Sequence, residues 1–342
     1  MTKIAVIGGG ASGLAAAITA AQQGAQVTVL ERLDRVGKKI MATGNGRCNL
    51  ANTELRPDCY RGDPAFLSAV FERVGKREMY SFFRRAGLLV RTDHGRVYPL
   101  SNHASAVLDV LRQEAARWGV RLKTEFEVKG ILPRSAGFLI QGIRETLSCD
   151  RLILATGGKA SPVLGSNGSG YEILSSLGHH ITRLSPGLVP MKCESGQMKG
   201  LRGVRCWATA TLLIDGRPTA EETGEIQFTD YGLSGIPMMN FSSLVAMHRG
   251  KKAEVSLDLL PGEEHVLEML QERDREHLFT GMFHKQIAQA LCDRVWVPMA
   301  AIQEVDLPSL AKEIKDAVYD YCNNHLADEA WYNEEFEFIE DE

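Results

Sequence analysis

Residues 3–10 read KIAVIGGG, a short β-branched apolar run that stops abruptly in glycines. Such a run predicts a buried parallel strand. ASGLAAAITAAQQG follows, rich in Ala and Leu, and predicts a helix ended by Gly24. AQVTVLE predicts a second strand closing on Glu31. From Gly37 to Leu50 the chain reads GKKIMATGNGRCNL, periodicity vanishes, and a loop without helix or strand is expected. Residues 63–118 read as helices broken by a short extended piece: PAFLSAVFERVG and HASAVLDVLRQEAARWG have helical spacing, with LLVRTDHGRVYPL between them. VRLKTEFEVKGILPRSAGFLIQGIRETLSC alternates as a small β-meander and leads into the strand of CDRLILATGG. GSNGSGY, residues 165–171, is a glycine-rich turn opening another helix. GVRCWATATLLIDG, EIQFTD and KAEVSLDLL then make residues 188–258 β-rich and barrel-like, and helical spacing takes over in 259–316.

A chain of 342 residues exceeds one small core. The expected division is 1–187 as a nucleotide-binding domain, 188–258 as an inserted β-rich domain, 259–316 as an inserted helical subdomain, and 317–342 as an acidic tail. The net charge of −4 gives no reason to expect nucleic-acid binding. It is unevenly spread: residues 319–342 hold nine acids and no Lys or Arg, so residues 1–318 carry −4 + 9 = +5. No apolar run reaches membrane-span length, and the N-terminus lacks a signal-peptide core, so a cytoplasmic protein without a membrane partner is expected. The seven cysteines show no C-x-x-C spacing and the nine histidines no H-x-x-x-H pair, so neither a disulfide framework nor a metal site is expected.

The chemistry begins at the first turn. Gly8, Gly10 and Gly13 fit G-x-G-x-x-G, between a strand and a helix. Gly8 allows the tight turn, Gly10 lets a pyrophosphate approach the backbone, and Gly13 lets helix and strand pack closely. The helix N-terminus, with Ser12 in its first turn, offers N–H groups to phosphates. Glu31, eighteen residues beyond Gly13, is placed to accept hydrogen bonds from an unphosphorylated adenosine ribose, which favours FAD or NAD over NADP at this site. In the loop that follows, Gly44 and Gly46 permit positive φ, Lys38, Lys39 and Arg47 supply charge, and Asn45 and Asn49 supply amides. Such a loop can line the far end of an extended dinucleotide, or be a solvated turn. Cys48 has no neighbouring cysteine and reads as a packed thiol rather than a redox centre.

Nucleotide unit, long excursion, meander and A-T-G-G strand occur in the order found in glutathione-reductase-like flavoproteins. GKKIMATGNGRCNL, GRVYPLS, LILATGGKASPVLGSNGSGYEIL, PGLVPMK, TGEIQFTDYGLSGIPMM and LDLLP also occur in order over roughly residues 1–315. Together they resemble the bacterial BaiN-like NAD(P)/FAD-dependent oxidoreductases, also called aminoacetone-oxidase-like flavoproteins. The resemblance implies an α/β fold: a Rossmann-like FAD domain of glutathione-reductase type with an inserted β-barrel-like and small helical domain. It implies bound FAD, NAD(P)H as electron donor, and a redox reaction on a small organic substrate, an activated C=C or C=O group, or oxygen. It places Gly44, Gly46, Arg47, Cys48 and Asn49 near the cofactor, with Val128, Ala155, Thr156 and Gly157 completing the expected set. No nucleophile–base pair stands out, as suits chemistry carried by a cofactor. Family members return to the FAD domain through a glycine-rich closing segment. Here YDYCNNHLADEAWYNEEFEFIEDE stands instead, which raises the alternative of a non-enzymatic remnant with weak FAD binding. A tRNA-modifying flavoenzyme is the third expectation, since some such enzymes share this FAD fold.

Overall fold

A computed structural model describes residues 1–60, 62–194, 200–297, 299 and 306–321. The chain divides into two compact units, the first Met1–Thr182 and the second beginning at Arg183. Each is described by itself.

The first unit contains β1 (Lys3–Ile7), α1 (Ala11–Gln22), β2 (Gln26–Leu30), α2 (Lys38–Ala42), β3 (Ala51–Asn52), α3 (Pro64–Arg73), α4 (Lys76–Arg85), β4 (Val90–Asp93), β5 (Arg96–Pro99), α5 (Ala104–Arg117), β6 (Arg121–Lys123), β7 (Val128–Arg134), β8 (Gly137–Gly142), β9 (Thr146–Cys149), β10 (Arg151–Leu154) and α6 (Ser169–Ser176). Its main sheet is parallel, in the order β10-β1-β2-β6. Successive side chains point to opposite faces of a strand, so each strand feeds two cores. Val6, Val27 and Val29 pack with Leu14 and Ile18 of α1 and Leu111 of α5. Ala5, Ile7 and Leu30 pack on the other face with Ile131 and Ile140 of the β7–β8–β9 meander. Full burial of a side chain such as Leu14 contributes about 1.5–3 kcal/mol. The β3-β5-β4 sheet stands apart, and its Val97 carbonyl accepts the Leu50 N–H at 2.8 Å.

The stretch expected to lack regular structure contains the short helix α2, entered through Gly37 at φ +76°. A Cβ on Gly37 would stand 2.2 Å from a Leu108 methyl of α5, and its positive φ itself favours glycine. α4 falls within the 63–118 stretch that reads as helical, and its apolar step is Met79, Phe82, Phe83.

The second unit contains β11 (Met191–Lys192), β12 (Arg205–Ile214), β13 (Arg217–Phe228), β14 (Gly232–Ser234), α7 (Ile236–Met247), β15 (Ala253–Asp258), α8 (Val266–Gln271), α9 (Lys285–Arg294), α10 (Leu307–Lys315) and β16 (Ala317–Tyr321). The sheet runs β11-β14-β13-β12-β15-β16, with every pairing antiparallel. A bridge between Cys193 and Tyr321 and the bond from Glu194 N–H to the Asp320 carbonyl (3.0 Å) join its two edges into a small barrel. Ala208, Ala210, Leu212 and Ile214 alternate into the barrel interior. One continuous core links them to Leu270, Leu291, Leu310 and Ile314 of the helices. Barrel and helices thus share packing, where the sequence suggested separate pieces. α7 interrupts the β-rich stretch; it is apolar over most of its surface and gave no helical stripe to read. Residues 317–321, assigned to the tail, form the edge strand β16. The rest of that tail, 322–342, lies outside the described residues. Among the described residues no helix is long and apolar enough to cross a membrane.

Candidate dinucleotide site

A cavity of about 460 Å³ lies wholly in the first unit, at the carboxyl ends of β1 and β2. Crevices outside strand ends are where open α/β sheets take ligands.

The glycine turn forms its floor. Gly8 has φ +106°, and a Cβ there would stand 2.3 Å from the Ala155 carbonyl oxygen. A Cβ on Gly13 would stand 1.9 Å from the Gly8 carbonyl oxygen. Gly10 is different: no heavy atom lies within 4 Å of its hypothetical Cβ, which faces open space. Gly10 is also the N-cap of α1, and no side chain caps that helix or places an acid in its first turn. The leading N–H groups therefore remain available to an anion.

Glu31 is held by its backbone surroundings. One carboxylate oxygen accepts the Gly9 N–H at 2.7 Å and the other the Leu33 N–H at 2.9 Å. The carboxylate is oriented on the cavity wall with lone pairs left for hydroxyl donors. Four cations on the wall, Arg32, Arg35, Lys38 and Lys39, face two carboxylates, Glu31 and Glu127, leaving 4 − 2 = +2. Lys39 donates to the Ala160 carbonyl at 2.7 Å, and burial lowers its pKa from the usual ammonium value. Open glycine, uncapped helix, ribose-type acid and net positive wall fit a dinucleotide diphosphate.

Of the residues singled out in the sequence, the cavity brings together Gly8, Gly10, Ser12, Glu31, Lys38, Lys39, Cys48, Asn49, Val128, Ala155, Thr156 and Gly157. Gly13, Gly44, Gly46 and Arg47 do not line it. Gly13 sits behind the floor as a packing contact. Gly44, Asn45, Gly46 and Cys48 all have positive φ, and the Cys48 N–H closes the loop on the Thr43 carbonyl at 2.9 Å. Arg47 turns toward the β4–β5 hairpin: its guanidinium lies 4.6 Å from the centre of the Tyr98 ring and 3.9 Å from Asp93. Cys48 is buried, and burial pushes its thiol pKa up, partly offset by the Thr43 side chain.

Sequence reasoning missed Arg32, Phe126, Leu164, Ser166, Ser169 and Ile173 on the same wall. Ser166 and Ser169 alone had a signal, the GSNGSGY turn, which packs onto the A-T-G-G turn: a Cβ on Gly170 would meet the Thr156 hydroxyl at 1.9 Å. In the second unit, Asp274, Glu276 and His277 converge within 4.8 Å, a grouping the histidine spacing did not suggest. All three are exposed, and Asp274 is occupied in capping the Glu276 N–H.

Comparison with known proteins agrees with both units. The family described as HI0933-like protein Rossmann domain matches residues 2–222, and HI0933-like protein barrel and H2TH domain matches residues 185–326. A 3-dehydro-bile acid delta(4,6)-reductase of Clostridium scindens is 42% identical over 77% of this chain and 66% of its own length. Ribosomal RNA dihydrouridine synthases of Escherichia coli and Haemophilus influenzae are 26% and 25% identical, over 75% and 90% of this chain and 63% and 77% of their own lengths. The chain thus spans just under two thirds of the first two relatives. The BaiN-like resemblance and the Rossmann-plus-barrel fold read from the motifs are borne out. With its Rossmann domain matched over residues 2–222, well over half of the chain, the protein belongs to the HI0933-like family.

Proposed function

We propose that the first-unit cavity binds FAD and that the protein is a flavin-dependent oxidoreductase, with NAD(P)H as electron donor, that saturates an activated C=C bond of a small organic molecule. The observation carrying this reading is the contrast within the glycine turn. Gly8 and Gly13 are closed by backbone contacts, whereas Gly10 opens onto a positively walled cavity beside an uncapped helix. The reaction class is supported by the relatives' names, since a delta(4,6)-reductase and a dihydrouridine synthase both saturate a C=C bond.

Bound FAD would supply two-electron hydride chemistry. The α1 amides and Lys38 would hold its diphosphate, and Glu31 would accept the adenosine ribose hydroxyls. Val128, Ala155, Thr156 and Gly157 would line its length. Thr43, Cys48 and Asn49 would face the flavin half, while Ile40, Leu50 and Phe83 exclude water beside it. The left-handed residues Gly44 and Gly46 would shape that loop, and Arg47 would brace it through Tyr98. A cytoplasmic setting suits Cys48, Cys59, Cys149, Cys206 and Cys292, which stand as thiols.

The absorption spectrum of the purified protein, before and after addition of FAD, tests the first step. A colourless protein that takes up no FAD ends this reading. Anaerobic NAD(P)H should bleach the flavin band, and a conjugated enone should restore it. A second reading, reduction of a uracil ring in RNA, is favoured by the two dihydrouridine synthase relatives and the barrel and H2TH match. Salt-sensitive binding of ribosomal RNA in a gel shift, without enone turnover, would select it.

A further inference from the structure

A second cavity, about 490 Å³, opens between α2 and α5 of the first unit. Its lining is apolar at Val36, Met41, Ala42, Leu108 and Leu164. Its rim carries three cations, Arg35, Lys38 and Arg112, against one carboxylate, Asp109, with the Ser105 hydroxyl beside them. Ser105, Asp109 and Arg112 are spaced four and three residues apart and so share one face of α5. Among the described residues none of the three cations makes a hydrogen bond or an ion pair. Gly37 and the Leu108 side chain bring α2 and α5 close together at its base.

We propose that this groove binds the phosphate monoester group of a small organic molecule. With Lys38 shared with the dinucleotide site, the groove's own balance is Arg35 and Arg112 against Asp109, 2 − 1 = +1, a net positive lining for a phosphate monoester, which carries about −1.5 to −2 at neutral pH. Guanidinium forks match phosphate oxygens in pairs, and Lys38 adds a point charge. An inorganic anion alone would leave the apolar lining uncovered, so the ligand has an organic body. Two sources share this chemistry: the 2′-phosphate end of NADPH, or a phosphorylated substrate. Arg35, Lys38 and Leu164 line both cavities, so the groove adjoins the dinucleotide site. The inference does not rest on flavin binding, because Ser105, Leu108, Asp109 and Arg112 line this cavity and not the first.

The test is titration calorimetry on the protein as isolated, in phosphate-free buffer, with inorganic phosphate, NADPH and NADH. Flavin content is read from the spectrum of the same samples, so failure of the cofactor reading is seen separately. Arg112→Gln should weaken phosphate-ester binding about three- to ten-fold, and Asp109→Asn should tighten it about two- to five-fold. A merely structural role at Asp109 would produce no tightening. NADPH bound in preference to NADH, with the preference lost in Arg112→Gln, assigns the groove to the electron donor. Phosphate bound through Arg112 without that preference assigns it to a phosphorylated substrate. If neither phosphate nor NADPH shows binding that responds to Arg112→Gln and Asp109→Asn, the proposal is overturned.

Discussion

Two alanine substitutions three positions apart separate folding from binding in the glycine turn. In Gly13→Ala the new methyl would stand 1.9 Å from the Gly8 carbonyl oxygen and 3.4 Å from Ala155 Cβ. The first contact is with backbone and cannot be relieved by a rotamer change. α1 must lift from β1, at a cost of about 1–3 kcal/mol, the range for overpacking a close-packed core. For a unit of this size that is a drop of roughly 2–4 °C in Tm per kcal/mol. Gly10→Ala meets nothing within 4 Å, and its φ of −78° suits alanine. Restriction of the unfolded chain should leave Tm unchanged or raise it slightly. The methyl instead occupies the approach to the α1 amides. Losing one charge-assisted hydrogen bond worth about 1.5–3 kcal/mol weakens FAD binding about ten- to a hundred-fold. Differential scanning fluorimetry of the flavin-free protein and fluorescence titration with FAD read the two effects independently. If Gly10→Ala melts as low as Gly13→Ala while keeping wild-type FAD affinity, the division of labour in the turn is wrong.

Glu31→Gln should lower both stability and FAD affinity, because the carboxylate that accepts the Gly9 and Leu33 N–H groups becomes half donor; parallel melting and FAD titrations check it. Burial raises Tyr319 to about 12 and Cys206 and Cys292 each to about 11. Raised folded-state values mean that this stability is complete below the unfolded pKa values and is lost as pH rises through the folded ones. The urea midpoint of the protein should therefore fall progressively from about pH 9 to pH 12. Tyr319→Phe should remove the tyrosine share, of the order of 2–3 kcal/mol. Cys48 should resist iodoacetamide at neutral pH until the protein unfolds, whereas the exposed Cys59 should label at once; peptide mapping by mass spectrometry distinguishes them.

How legible the site was depended on whether backbone or side chains build each part. Gly8, Gly10 and Gly13 were readable because steric exclusion of a Cβ leaves one residue type permissible, at one spacing, between a strand and a helix. Glu31 was readable because β2 ends there and carries it to the crevice. Phe126 and Ile173 were not readable, since they reach the cavity from a loop and a helix far apart in sequence, and apolar residues there look like any core residue. The same limit hid α7, which is apolar over most of its circumference and so showed no clean stripe, whereas in α4 Met79, Phe82 and Phe83 recur at helical spacing among charged residues.

On the proposed reading, Arg47 shows how a charge can belong to a ligand-binding loop without lining the cavity. Three of its neighbours, Gly44, Asn45 and Gly46, adopt positive φ, and so does Cys48. A loop of such residues has little helical or sheet bonding to hold it, so its shape must come from outside. The structure supplies this from one side through the bond from the Ala104 N–H to the Gly46 carbonyl (2.8 Å), which ties the loop to α5. From the other, the Arg47 guanidinium lies over Tyr98, itself only 3% exposed, and reaches toward Asp93. A rigid hairpin thereby sets where Thr43, Cys48 and Asn49 stand on the cavity wall. On this account charge in the loop has two separate uses: Lys38 and Lys39 face the cavity, while Arg47 fixes the wall from behind. Arg47→Lys keeps the charge but loses the planar stack, so it should loosen the loop and weaken the flavin end of the site, leaving the Gly10 contacts at the diphosphate intact.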